Sequence, residues 1–275
     1  MIYQLIQPSL CLRPFVKEYC LLHFEFDQKH PPPVKPFPVR PQQTLVFYLK
    51  GGINAFNPET GLFKTFPKIA INGSQVQRYN FHLAHSQMML SVDFQPTGLS
   101  KFLQMPLNEE FIDNRIDAEV LLNPEIGNVY EQMLNASSYA QIIEIVESYL
   151  WRRIERQKID FQPIDKIHLL IAQQPVGYSM AQLADMSCLS LSQFERRFKQ
   201  QMGISPKFFA RVNRFHQAFM LKDQNPHLDW LSIALQTGYN DYQHLVKDFK
   251  QFAGDTPNSL LKAHAQAPER ILGIG

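Results

Sequence analysis

A self-similarity near the C-terminus constrains this chain more than any other feature. Ala184 to Cys188 aligns with Ala234 to Gly238 at an offset of 50. After one extra residue in the second turn, Phe194, Phe198-Lys199-Gln200, Gly203 and Ser205-Pro206 align with Leu245, Phe249-Lys250-Gln251, Gly254 and Thr256-Pro257 at an offset of 51. A repeat of this period means one supersecondary unit built twice. Each copy reads as helix, tight turn, helix. In the first, Ser179 and Ser190 stand as N-caps with Gln182 and Gln193 three residues on, the capping-box spacing. The second helix runs to Gly203, a left-handed stop, and Ser205-Pro206 opens the next helix as cap and first-turn proline. In the second copy Asp229 and Asp241 are the caps, Gly238 is the turn residue, and Gly254 with Thr256-Pro257 repeats the exit. This is the spacing of a helix-turn-helix, whose second helix enters the major groove of double-stranded DNA with its N-terminal residues toward the bases.

The two groove helices, expected over residues 191–202 and 242–252, separate core from surface by their period. Phe194, Phe198 and Met202, like Leu245, Phe249 and Phe252, recur at helical spacing and should pack inward. Ser192, Gln193, Glu195 and Arg196 in the first helix, and Tyr242, Gln243, Val246 and Lys247 in the second, then face out as candidate base readers. Arginine suits guanine O6 and N7, glutamine suits adenine, glutamate accepts from cytosine N4, and tyrosine or valine meets a thymine methyl. Phosphate contacts fall to Arg197, Lys199 and Lys250 and to the exposed N–H groups at the Ser190 helix start. The formal net charge of +2 hides this footprint. From Ser190 to Lys222 seven basic residues (Arg196, Arg197, Lys199, Lys207, Arg211, Arg214, Lys222) meet only Glu195, a local +6. Such a stretch attracts a polyanion over roughly 8 to 10 Å.

The first 110 residues are β-rich instead. Leu21 to Phe26, Thr44 to Leu49, Phe81 to Leu83 and Met88 to Phe94 are short β-branched or aromatic runs separated by turn residues such as Gly51-Gly52 and Asn72-Gly73. Six prolines between Pro31 and Pro41 forbid helix and predict a surface loop. From Pro124 the period becomes 3.6, predicting helices over Pro124 to Leu134 and Ser137 to Trp151; their apolar faces either form a homodimer surface or pack on the β domain. Arg152 to Pro163 is the best boundary. The fold class expected is therefore α+β in two domains. Residues 1–157 form a β-rich, barrel-like sensing or dimerisation domain with closing helices, and residues 164–265 form an all-α domain with two helix-turn-helix motifs. Phe47, Phe56, Phe81 and Phe94 would be the rings of a ligand pocket inside such a barrel, or plain core.

Other function classes lack their residues. A hydrophobic fraction of 45% over 275 residues supports real cores, and no apolar run reaches membrane-spanning length. With no basic and apolar leader at the start, the cytoplasm is the expected location. Cys11, Cys20 and Cys188 are odd in number and lack CxxC spacing, so reduced, buried thiols are expected rather than disulfides or a zinc site. His82 and His85 fit no HxH metal pattern, and Walker, GxGxxG and GxSxG motifs are missing, so neither catalytic residues nor a cofactor or metal are expected.

Asp165 to Lys262 resembles the DNA-binding domain of the AraC/XylS-type transcription regulators. The resemblance is carried by Leu183-Ala184, Ser190, Phe198-Lys199, Gly203-Ile204-Ser205-Pro206, Arg214 with Ala218, Ala234, Gly238-Tyr239, Phe249-Lys250 and Gly254-Asp255-Thr256-Pro257. It implies seven helices, with a long connecting helix from about Pro206 to Leu221 setting two groove helices about one DNA turn apart. It further implies base reading at Ser192, Gln193, Arg196, Gln243 and Lys247, an internal ion pair for Arg214, and an activator working with RNA polymerase. Two departures stand out: Cys188 replaces the usual turn glycine, and Lys247 stands where arginine is commoner. Residues 1 to about 120, at Pro41 to Tyr48 and Val92 to Gly98, are similar to the uncharacterised β-rich sensor domain often attached to this module. Control by a small-molecule effector is then expected, with control by a partner protein as the alternative. A more distant alternative, an alkyl-damage repair protein with Cys11 or Cys20 as nucleophile, resembles a four-cysteine zinc site that two cysteines cannot supply.

Overall fold

In the computed structural model the described residues are 1–27, 29–122 and 124–274. The N-terminal half runs β1 (Ile2–Ile6), β2 (Val16–Glu25), β3 (Lys35–Phe37), β4 (Thr44–Lys50), β5 (Ile53–Asn57), β6 (Leu62–Thr65), β7 (Ile69–Asn72), β8 (Tyr79–Leu83), β9 (Ser86–Phe94), α1 (Gly98–Leu103), β10 (Arg115–Asp117), α2 (Ala118–Leu122), α3 (Glu125–Leu134) and α4 (Tyr139–Glu155). The strands form two antiparallel sheets, one of six in the order β1-β2-β9-β4-β7-β10 and one of four in the order β3-β8-β5-β6. They do not close into a single barrel. The period of two in β4 shows why two layers result: Leu45 and Phe47 point to one buried cluster, shared with α1, α3 and α4, while Val46 and Tyr48 point to another, shared with Ile53 and Phe81 of the smaller sheet. The larger sheet is thus covered on both faces.

Those helices spend their apolar stripes inside the molecule. Ile126, Val129, Tyr130 and Met133 of α3 and Ile142, Val146, Tyr149 and Leu150 of α4 are buried against the large sheet, and Tyr130 donates its hydroxyl to the Tyr48 carbonyl at 2.7 Å. Of the two expected roles for this face, packing on the β domain is the one observed. The proline-rich segment also departs from expectation. It is not a plain surface loop: it contains β3, and Val39 is fully buried with its N–H donating to the Phe252 carbonyl at 2.9 Å. Proline forbids helix but not extended chain, and Pro36 lies in an edge strand. The buried-thiol expectation fails for two of three residues, since Cys11 and Cys188 are exposed and Cys20 is half-buried.

The C-terminal half consists of α5 (Pro163–Gln173), α6 (Met180–Met186), α7 (Leu191–Met202), α8 (Pro206–Gln224), α9 (Trp230–Gln236), α10 (Tyr242–Ala253), α11 (Pro257–Ala265) and a short α12 (Pro268–Ile271). Two cores lie along α8. Phe194, Phe198 and Met202 pack with α5 and the start of α8, and Leu245, Phe249 and Phe252 pack with Phe215 and Phe219 farther along. None of the described helices is long and apolar enough to cross a membrane.

The two halves meet at the C-terminal ends of α7 and α10. Gln43 and Ser74 both donate to the Met202 carbonyl, the Leu107 N–H donates to the Gln200 carbonyl at 2.7 Å, and Arg78 Nη1 donates to the Ala253 carbonyl at 3.4 Å. Three ion pairs among the described residues cross the junction: Lys101 with Asp165 at 2.9 Å, Lys199 with Glu109 at 3.8 Å, and Lys35 with Glu269.

Candidate nucleic-acid interface

The two copies of the repeat share bond patterns as well as helices. In the first turn Leu189 N–H reaches Ala184 carbonyl at 3.1 Å, and in the second Tyr239 N–H reaches Ala234 carbonyl at 2.9 Å. Ser187 and Thr237 each return a hydroxyl to the carbonyl four residues back, at 2.7 and 2.8 Å. The residue between is left-handed in both, Cys188 at φ 56° and Gly238 at φ 78°. A Cβ on Gly238 would lie 2.7 Å from a Val176 methyl, so the second turn has no room for a side chain where the first carries one.

Both groove helices start and stop as their sequences predict. Ser190 Oγ accepts from Gln193 N–H at 3.3 Å while Gln193 Oε1 accepts from Ser190 N–H at 3.2 Å. Asp241 Oδ1 accepts from His244 N–H at 2.6 Å. Each helix ends on a left-handed glycine, Gly203 or Gly254. Their inner faces are closed: Phe194, Phe198, Leu245 and Phe249 are all 0% exposed. Outward lie Ser192, Gln193, Glu195, Arg196, Arg197, Lys199, Gln243, Lys247 and Lys250, all exposed, with Tyr242 and Val246 half-buried. One reader also has a capping role. Gln193 Oε1 already accepts one hydrogen bond from the Ser190 N–H, which leaves it one further lone pair and both N–H donors.

The expectation for Arg214 extends to its neighbour. Arg211 Nη2 lies 2.6 Å from Asp248 Oδ1 and Arg214 Nη2 3.1 Å from Oδ2, with the Tyr239 hydroxyl also donating to Oδ2 at 3.1 Å. Asp248 is 1% exposed, so both arginines of α8 tie that helix to α10. Asp248 escaped the sequence reading although a signal was there: an acid on the apolar stripe of Leu245, Phe249 and Phe252 requires a buried partner. The first half contributes an acidic neighbour that sequence reasoning also missed. Glu109 Oε1 lies 3.8 Å from Lys199 Nζ, on the loop whose Leu107 is bonded to α7.

The four rings expected to line a pocket do not meet. Phe47 lies on the helix side of the large sheet. Phe56 packs against exposed Phe63 at 5.0 Å on the smaller sheet, and Phe94 faces a cavity at the junction with the second half, beside Met202 and His216. Strand register puts Phe47 and Phe94 on the helix side of the large sheet, Phe81 on the inner face of the smaller sheet and Phe56 on its opposite face. Phe81 alone borders the cavity between the sheets, which measures about 140 Å³ and is lined also by Phe37, Arg40, Tyr48 and Arg115.

Comparison with known proteins agrees with this division. The family described as "Helix-turn-helix domain" matches residues 183–263, and a "Domain of unknown function (DUF6597)" matches residues 4–117. An uncharacterized HTH-type transcriptional regulator of Haemophilus influenzae is 30% identical over 139 residues, 48% of this chain and 46% of that protein. The arabinose operon regulatory protein of Escherichia coli is 24% identical over 148 residues, 49% of this chain and 50% of that protein. The chain thus spans about half the length of the curated relatives it matches. Among solved structures, ToxT from Vibrio cholerae superposes with a TM-score of 0.48 at 10% identity, covering 89% of this chain and 97% of that one.

Proposed function

We propose that the chain is a sequence-specific DNA-binding transcription regulator that reads two successive major grooves with α7 and α10, a reading supported by the helix-turn-helix match over residues 183–263 and by its likeness to the arabinose operon regulatory protein. The observation that carries this is the paired geometry: two capped helices, alike in turn and exit, each with a closed inner face and an exposed polar one, tied to a single α8. Arg196 and Lys247 are the principal base readers, with Ser192, Glu195 and Gln243 beside them and Tyr242 and Val246 offering apolar contact. Arg197, Lys199, Lys250 and the helix start at Ser190 hold phosphates. One chain spans both grooves without a second copy. The first half controls the second through the ends of α7 and α10, which it grips. The protein works in the cytoplasm as an activator, under control of a small molecule.

Footprinting on a site selected from random-sequence DNA tests the reading. Two protected segments centred about one helical turn, roughly 10 bp, apart are expected from a monomer. A single segment, or protection that does not depend on sequence, would overturn it.

A further inference from the structure

The cavity between the two sheets is lined by two arginines, Arg40 and Arg115, that form no salt bridge among the described residues. Arg115, on β10 at the end of the larger sheet, holds its guanidinium over the rings of Phe66 and Tyr79 at 5.1 and 5.6 Å. Arg40 lies over Phe37 at 4.4 Å. Ring faces steer a guanidinium while leaving its in-plane N–H donors free. Among the described residues neither is ion-paired with a carboxylate. Arg115 Nε is buried with no hydrogen-bond partner, and two other wall atoms, Gln42 Oε1 and Asn72 Oδ1, are buried acceptors without a donor. Asp93, the one carboxylate on the wall, accepts from Ser91 Oγ at 2.6 Å; burial raises its pKa, and it acts on Arg40 without forming a salt bridge with it. Burial also pulls both arginine pKa values down, as desolvated cations require. Both side chains are half-buried, and the buried, unpartnered Nε of Arg115 is a donor that a fold keeps only at a cost.

We propose that this cavity binds a small organic acid carrying a hydroxyl or amino donor: its carboxylate takes Arg115 and Arg40, its donor meets Gln42 or Asn72, and its body lies among Phe37, Phe66 and Phe81. The regulatory consequence rests on the reading above, because the cavity wall and the grip on the groove helices are the same segments. Arg40 follows Val39, which holds the Phe252 carbonyl of α10. Gln42 precedes Gln43, which with Ser74 holds the Met202 carbonyl of α7. An anion drawing on Arg40 therefore acts within three residues of both contacts.

Thermal unfolding and calorimetric titration of the full chain with 4-hydroxybenzoate, 3-hydroxybutyrate and the neutral 4-hydroxybenzamide test the site. At least one of the two acids should raise the Tm, and the amide should not. Arg115→Met should weaken that binding by about tenfold or more. Its ligand-free Tm should equal or exceed the wild type's, because an apolar side chain replaces a half-buried cation that has no salt bridge. Arg40→Met is the second variant, with the same expectation. The proposal falls if neither acid shifts the Tm, if Arg115→Met binds as well as wild type, or if both variants unfold, which would assign the guanidiniums to stability alone. A parallel footprint separates the two readings: anion binding without sequence-specific protection removes the regulator and leaves the site, and the converse removes only the site.

Discussion

Arg196 and Asp248 are charged residues on equivalent-looking helices with opposite tasks, and burial decides which is which. Arg196 is exposed on α7 and has no ion-pair partner among the described residues. Asp248 is 1% exposed and neutralises Arg211 and Arg214. Removing one side of a buried pair leaves the other uncompensated, at a cost of about 3 to 5 kcal/mol, whereas a surface substitution usually stays within about 0.5 kcal/mol. Arg196→Glu should therefore abolish sequence-specific binding with an unchanged melting curve. Asp248→Ala should lower the Tm first, and lose DNA binding only through the fold. Gel shifts and thermal unfolding of both variants distinguish them; an Arg196→Glu protein that footprints like wild type would remove Arg196 from the interface. The sequence marks the exposed residue plainly through its period. It does not say which arginines of α8 neutralise the acid of α10, because that depends on a packing between segments 34 or more residues apart.

At the scale of elements, local grammar was legible and long-range placement was not. Every N-cap in the repeat could be read from a serine, threonine or aspartate, since a cap is a contact between residues two or three apart. The strands Thr44 to Leu49 and Phe81 to Leu83 were legible by composition, yet not their assignment to two different sheets, which sends Phe47 and Phe81 to different cores. The first turn shows local grammar being broken. Cys188 holds φ 56° with a side chain, whereas Gly238 at the same place has none. A left-handed residue with a Cβ costs about 1 to 2 kcal/mol, offset in part by the greater freedom glycine gives the unfolded chain. Cys188→Gly should thus raise stability by about 1 kcal/mol with DNA affinity intact. Gly238→Ala should lower it by more, since Val176 crowds the new methyl. Denaturant midpoints of the two variants check the pair. Equal and opposite changes would show that crowding at Val176 adds nothing; a loss in Cys188→Gly would mean the thiol makes a contact that outweighs backbone strain.

For the whole molecule, the decisive quantity is how much of the +6 stretch remains available to a polyanion once the chain is folded. Arg211 and Arg214 are taken by Asp248. Lys222 donates to the carbonyls of Pro226 and Leu228. Lys199 faces Glu109 at 3.8 Å across the junction of the two halves. That leaves Arg196, Arg197 and Lys207 of the original seven without an acidic or carbonyl partner among the described side-chain contacts. Counterion release gives each cation that reaches a phosphate about −0.9 in the slope of log affinity against log salt. The folded protein should therefore show a shallower slope than the local charge alone suggests, and Glu109 should be one cause. The Lys199–Glu109 pair is exposed on both sides, so it contributes little to stability and is broken without damage to the fold. Glu109→Gln should then bind DNA more tightly at low salt, with a slope steeper by up to about 0.9 and an unchanged Tm. Filter binding across a salt series reads both quantities. A parallel line shifted upward would mean that Glu109 merely repels the duplex. Coincident lines would mean that Lys199 reaches no phosphate and that the first half leaves the charge on α7 untouched.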